Sequence, residues 1–177
     1  MEYIHVEHLF GPVYNKDSKI LILGSFPSVK SREQNFYYGH PRNRFWKVLD
    51  NVYGNIDSDL HTVIAGISDS DSIEVKKKFL LDNGIALWDV IGSCDIKGSS
   101  DSSIKNIKVN DISEILNAAD IEKIILNGGK AYELFIRYCY REGMPDSVKL
   151  PSTSPANASW GFDKLVEAWK KEIANKP

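Results

Sequence analysis

Four short apolar runs set the frame of this chain. Residues 19 to 23, KILIL, end at Gly24, and IALWDV at 85 to 90, IEKIILN at 121 to 127 and SVKLP at 147 to 151 repeat the pattern. Each is too short for a helix, and the unbroken apolar runs among them predict strands buried on both faces. Between them the spacing turns helical. NRFWKVLDNVYG sets Phe45, Trp46, Leu49 and Val52 near a 3.6-residue period, with Asn43 available as N-cap and Gly54 as the stop. SDSIEVKKKFLLDNG opens on Ser70 and Asp71 and closes on Gly84, DISEILNAAD is a short capped segment, and GGKAYELFIRYCYREG leaves its strand through a glycine pair. The last stretch, WGFDKLVEAWKKEIANK, gathers Phe162, Leu165, Val166, Trp169 and Ile173 on one side. Residues 57 to 69 follow neither period, and GSCDIKGSSDSSIKN reads as loop from its polarity.

Strands alternating with helices imply right-handed crossovers and a parallel sheet covered on both faces. The expected fold is therefore α/β: a three-layer α/β/α sandwich around a mainly parallel sheet of about four strands. It forms one domain over residues 1 to 177, without repeats or linkers. Ligands of such open sheets bind beyond the carboxyl ends of the strands. Two loops there are chemically loaded. One is GSFPSVKSREQNFYYGHPRNRFW at 24 to 46 and the other LPSTSPANAS at 150 to 159. Both set a proline inside a polar turn, and together they hold Ser25, Ser28, Ser31, Asn43, Ser152, Thr153, Ser154 and Asn157. This is an inventory of amides and hydroxyls with few titratable groups.

Composition narrows the chemistry. A net charge of −2 argues against a general polycation, but Lys30, Arg32, Arg42, Arg44 and Lys47 cluster around the first loop. Taken alone, that cluster is equally a solvated face. Cys94 and Cys139 stand far apart with no ligand spacing, so no metal site is expected and both read as buried thiols. The serines lack a GxSxG elbow and a partner histidine; His40 is the nearest and suits a loop-structuring role better than that of a base. Neither GxxxxGK[ST] nor GxGxxG occurs, and GGKAYE by itself is a turn. Asp89 at the end of the second apolar run and Asp101 after it could enter the site, although Asp101 could equally cap a turn. Phe36, Tyr37 and Tyr38 fit either a core or a wall on which a planar base stacks. Without a leader pattern or a long apolar run, a cytoplasmic protein that does not span a membrane is expected.

At these residues the chain resembles the uracil-DNA glycosylase superfamily. GSFPSVKSREQNFYYGHPRNRFWKVL looks like the first signature region of its mismatch-specific members. The pairing of YYGHPRN and FW with a late LPSTSPANA is closer still to the hypoxanthine-DNA glycosylase branch. The likeness covers most of residues 4 to 170. Many members carry an Asp or Asn two residues after the first glycine of this motif, where Phe26 stands here, and Ser154 occupies the place of the second motif's His or Asn. The hypoxanthine branch also lacks that first group, and its catalytic asparagine matches Asn43.

The resemblance implies a monofunctional glycosylase acting on DNA that contains a deaminated base, as a monomer without cofactor or metal. It implies that Asn43 orients water through its carbonyl oxygen, and that Phe26, Tyr38, Ser154 and Asn157 surround the base, Tyr38 by stacking. Ser28, Lys30, Arg42, Arg44 and Ser152 would contact phosphates. Three alternatives stay open: the same reaction on uracil opposite guanine, a non-catalytic binder of damaged DNA, and a small-molecule hydrolase on a similar sandwich.

Overall fold

The computed structural model describes residues 2–54, 57–66, 72–98 and 100–174. In chain order its first half runs β1 (Ile4–Glu7), β2 (Ile20–Gly24), α1 (Val29–Gln34), α2 (Phe45–Tyr53), α3 (Asp59–Ile64), α4 (Ser72–Asp82) and β3 (Ile85–Asp89). The second half runs β4 (Ile91–Ile96), β5 (Lys105–Val109), α5 (Ser113–Ala118), β6 (Lys123–Asn127), α6 (Gly129–Leu134), β7 (Asp146–Leu150) and α7 (Phe162–Ala174).

The four apolar runs form one parallel sheet in the order β3-β2-β6-β7, flanked by helices as the alternation implies. β2 and β3 are buried along their whole length, and Leu21, Ile22, Leu23 and Leu126 are inaccessible to solvent. These strands are apolar on both faces because helices cover both. α7 buries Leu165, Trp169 and Ile173, with Phe162 and Val166 packed beside them. Its Trp169 meets Phe45 of α2 edge to face, with ring centroids 5.9 Å apart.

A second sheet corrects the sequence reading. GSCDIKGSSDSSIKN was expected to be loop, but its two ends belong to β4 and β5, which with β1 form an antiparallel sheet of order β1-β4-β5. Ile91, Ser93, Cys94 and Ile96 are buried while Gly92 and Asp95 are half-exposed. Polarity misled because β5 is an edge strand whose residues face solvent, with Lys105 and Lys108 guarding it from further pairing. The chain passes between sheets at Val90, where Val90 and Ile91 donate to the carbonyls of Gly24 and Ser25.

Helix boundaries follow local chemistry closely. Arg44 is the last residue before α2, one later than expected, yet the Asn43 carboxamide oxygen still accepts from Phe45 N–H at 3.0 Å. Gly54 ends α2 at φ 64°, and Gly84 follows α4 at φ 66°. Within the ambiguous 57 to 69 region, Ser58 caps α3 by accepting from His61 N–H. The start signals Ser70 and Asp71 lie outside the described residues. α6 continues into a single wider turn over Phe135–Cys139.

Candidate active site

The carboxyl ends of the four parallel strands bring together Gly24, Asp89, Asn127 and the residues just after Leu150. Strand register makes Gly24 the direct neighbour of Asp89 and Asn127 the neighbour of Leu150. The two signature loops meet here, since the first leaves β2 and the second leaves β7. A surface cavity of about 340 Å³ beside Ile121, Met144 and Pro145 opens at the opposite, amino ends of β6 and β7, and holds none of these groups.

A buried chain of hydrogen bonds joins the loops. Thr153, fully buried, donates its hydroxyl to Asn43 Oδ1 at 2.9 Å and accepts from Asn127 Nδ2 at 3.0 Å. Its N–H donates to Asn127 Oδ1, also at 3.0 Å. Asn43 Oδ1 thus receives two donors, Thr153 Oγ–H and Phe45 N–H, which use both of its lone pairs. The expectation that Asn43 orients water through this oxygen is corrected. The oxygen faces the protein, and the group left without a hydrogen bond among the described residues is the NH₂.

Arg44 acts as a clasp. Its guanidinium donates to the carbonyls of Asn157 at 3.0 Å, Ser154 at 3.2 Å, Ser152 and Thr153 at 3.5 Å, and Trp160. A planar fork of five donors suits such a curl of carbonyls. Its Nε, Nη1 and Nη2 all donate to backbone carbonyls, so Arg44 organises the second loop, a different task from the phosphate contact expected. Within that loop Ser152 Oγ accepts from Ser154 N–H, Ser154 Oγ accepts from Ala156 N–H, and Asn157 Nδ2 donates to Ser152 O. Gly128, at φ 98°, packs against this turn. A Cβ there would stand 2.9 Å from Ser152 Cβ.

The aromatic triplet divides. Phe36 stacks on Trp46, and Tyr37 is buried, donating its hydroxyl to Gly11 O at 2.8 Å, so both are core. Tyr38 alone reaches the site. Its ring stacks on Phe45 at 3.9 Å, and its backbone takes φ 55°, a strained conformation for a bulky residue. Its hydroxyl is buried beside Gly24 and Asp89. Burial first, and then the Asp89 charge, raise its pKa beyond the ordinary tyrosine range; Asn127 is close enough to offset part of this, but among the described residues no well-formed hydrogen bond reaches the oxygen. Phe26, expected near the base, is a buried side chain between the His8 ring and the Arg32 guanidinium, so only its backbone is available for contact.

Behind Gly24 lies a pair that the sequence did not reveal. His8 Nε2 meets Asp89 Oδ2 at 2.8 Å, and both side chains are at most 5% exposed. His8 follows β1, outside either signature loop, and no spacing rule links residues 81 apart. Asp101 is exposed near Ser25 and Lys130, its carboxyl pKa raised mainly by the surrounding protein and partly by Asp89. Ser100 flanks a short turn over Asp101–Ser103 on its amino side, so Asp101 itself is not the cap.

The remaining expected contacts lie around the rim. Ser28 caps α1 by accepting from Ser31 N–H, Lys30 pairs with Glu33, and exposed Arg42 makes no side-chain hydrogen bond among the described residues. His40 Nδ1 accepts from Arg42 N–H, which is a loop-structuring role. Cys94 and Cys139 are buried free thiols, and burial pushes Cys94 up to about 11. Among the described residues no cluster of His, Cys, Asp and Glu is suited to hold a metal ion, and no helix is long and apolar enough to cross a membrane.

Comparison with known proteins agrees with this geometry. The family model of the uracil DNA glycosylase superfamily matches residues 12–173. A "Hypoxanthine DNA glycosylase" of Methanosarcina acetivorans is 36% identical, covering 89% of this chain and 92% of the relative. One of the same name from Methanosarcina barkeri is 35% identical over 72% of this chain and 76% of its own length. The solution NMR structure of a candidate uracil DNA glycosylase from Methanosarcina acetivorans superposes with a TM-score of 0.72 at 33% identity, covering 93% of this chain and 94% of the other. With its parallel sheet, its two loops joined at the strand ends and a match over nearly its whole length, the chain belongs to the uracil DNA glycosylase superfamily.

Proposed function

We propose that this protein is a monofunctional DNA glycosylase that takes a deaminated base, hypoxanthine foremost, out of DNA and hydrolyses its N-glycosidic bond. The observation that carries the reading is the hydrogen-bond chain Asn127–Thr153–Asn43, which locks the two signature loops together and leaves the Asn43 NH₂ as the free polar group. The names of the two relatives favour hypoxanthine over uracil.

The chemistry follows from the groups present. Extruding a base costs a few kcal/mol, least for a mispaired one, so deaminated bases are favoured before any contact forms. Tyr38, backed by Phe45, offers its other face to the flipped base, while backbone groups near Phe26 and the Ser154–Asn157 turn meet its edge. Breaking the C1′–N bond develops positive charge on the sugar and negative charge on the base. The Asn43 NH₂ holds the oxygen of the attacking water, leaving a lone pair directed at C1′, so Asn43 positions the water instead of deprotonating it. The reaction consumes only water. Lys30, Arg42 and Ser152 lie where the DNA backbone would pass, and the protein acts as a cytoplasmic monomer.

Single-turnover base release from matched duplexes containing hypoxanthine, uracil or xanthine tests this. Hypoxanthine should leave fastest, and Asn43→Ala should slow it by about 10²-fold or more with DNA binding retained. Faster release of uracil would transfer the reading to that base, and release of none would leave a damaged-DNA binder.

A further inference from the structure

We propose that Tyr3, Lys97 and Lys105 form a second anchor for DNA, which grips backbone phosphates of the duplex to one side of the flipped nucleotide. The inference rests on the glycosylase reading above and adds to it a surface outside both signature loops.

Three observations lead there. First, two ammonium groups are gathered at one exposed ring. Lys105 Nζ stands 3.5 Å and Lys97 Nζ 4.5 Å from the ring centroid of Tyr3, which is 42% exposed. Neither lysine makes an ion pair among the described residues. The acid on the same hairpin, Asp95, is engaged by His5 at 2.8 Å and Asn106 at 2.6 Å, and Lys105 acts on it only through space. The ring face attracts each cation, but two like charges held at one ring repel, and an anion relieves that repulsion where the ring cannot. Second, the strand is bent beside Lys105. Ser93 pairs with Lys108 and Asp95 with Lys105, so β5 advances three residues where β4 advances two. Asn106 takes up the extra residue with a left-handed backbone at φ 52°, and a bulge of this kind re-aims the side chains next to it.

Third, the cluster adjoins the rim of the site. Tyr3 stands just before β1, Lys97 just after β4, and Lys105 opens β5. The pairing of Ile4 with Ile96 and of Asp95 with Lys105 brings all three to one end of the second sheet. That end carries the Asp101–Ser103 turn, where Ser103 Oγ accepts from Lys97 N–H at 2.9 Å. Asp101 of this turn lies near Ser25, at the root of the first loop, with Lys130 offsetting part of its charge. A duplex that delivers a nucleotide to the ends of the parallel strands runs over this rim, and it presents one phosphate charge per about 1.7 Å of its axis. Lysines suit that partner, since a point charge on a flexible stem meets phosphate without reading sequence. Holding both stems against Tyr3 orders them in advance, which lowers the entropic cost of the contact. On a chain of net charge −2, these unpaired cations are therefore placed where the substrate's backbone passes.

Titrations of hypoxanthine-containing and undamaged duplexes at several salt concentrations test this, comparing wild type with two double variants. Lys97→Ala with Lys105→Ala should reduce the slope of log K against log salt by about 2 on both duplexes, whereas Lys97→Arg with Lys105→Arg should keep it. Shortening the duplex from each end in turn then locates the contact. Shortening on one side of the lesion should abolish the difference between wild type and the alanine variant, and shortening on the other should leave it. An unchanged slope in the alanine variant overturns the proposal, as does a difference that survives shortening on either side, the mark of overall charge instead of contact. Base release by wild type is read on the same duplexes. Release with an unchanged slope removes this proposal alone, whereas wild type that neither binds nor releases removes the glycosylase reading and this proposal with it.

Discussion

Thr153 donates its hydroxyl to Asn43 Oδ1 at 2.9 Å although 110 residues separate the two. That one bond turns the carboxamide so that NH₂ is the group presented. Thr153→Val should therefore strand the Asn127 amide and free Asn43 to rotate, costing about 1–3 kcal/mol in denaturant unfolding and about 10²-fold in single-turnover rate. Thr153→Ser should restore most of both.

Arg44 spans five carbonyls between Ser152 and Trp160. Replacing it by alanine removes the guanidinium that ties those carbonyls together, so amide hydrogen exchange over 154–160 should quicken while the parallel sheet stays protected. Arg44→Lys should resemble the alanine variant, because a single ammonium cannot reproduce the fork. An unchanged exchange rate in that loop would remove the clasp role.

Tyr38 keeps a buried hydroxyl with no hydrogen-bond partner among the described residues. A buried unsatisfied group costs about 1–3 kcal/mol, so Tyr38→Phe should leave the DNA-free protein as stable or more so. Gly24→Ala should act in the opposite sense: its Cβ would overlap both Asp89 Oδ1 and the Tyr38 hydroxyl, at a cost of about 1–3 kcal/mol. Thermal unfolding of the two variants side by side checks the signs.

Arg42 is exposed and makes no side-chain hydrogen bond among the described residues, unlike Lys30, which pairs with Glu33. If Arg42 meets a phosphate, Arg42→Ala should weaken DNA binding alike for damaged and undamaged duplexes and reduce the slope of log K against log salt by about 1. Titrations at several salt concentrations measure it.

Alkaline pH should destabilise the fold. Burial raises Cys94 from 9.0 to about 11 and Tyr53 from 10.0 to about 12, and lifts Tyr37 and Tyr38 further. Above pH 9 the unfolded chain loses protons that the native state retains, so stability falls with pH. The contribution is fully present below 9.0 and is lost for Cys94 up to about 11 and for Tyr53 between 10.0 and about 12. Urea midpoints measured from pH 8 to 11 should decline across that range.

The sequence by itself determined the parallel sheet, because continuous apolar runs such as KILIL can be buried on both faces only between covering layers. It also determined the helix stops at Gly54 and Gly84, whose backbones need positive φ, and the identity of the two loops. β4 and β5 escaped it, since a half-exposed edge carries no apolar signature and gains its order from backbone pairing with a distant β1. The tasks of individual side chains escaped it as well. Whether Arg44 faces phosphate or carbonyls, which of Phe36, Tyr37 and Tyr38 reaches the site, and which end of the Asn43 amide is free depend on partners up to 116 residues away. His8 is the clearest case. Only the folding of β1 onto β4 brings it against Asp89 at the end of β3, and no local pattern in the chain encodes that meeting.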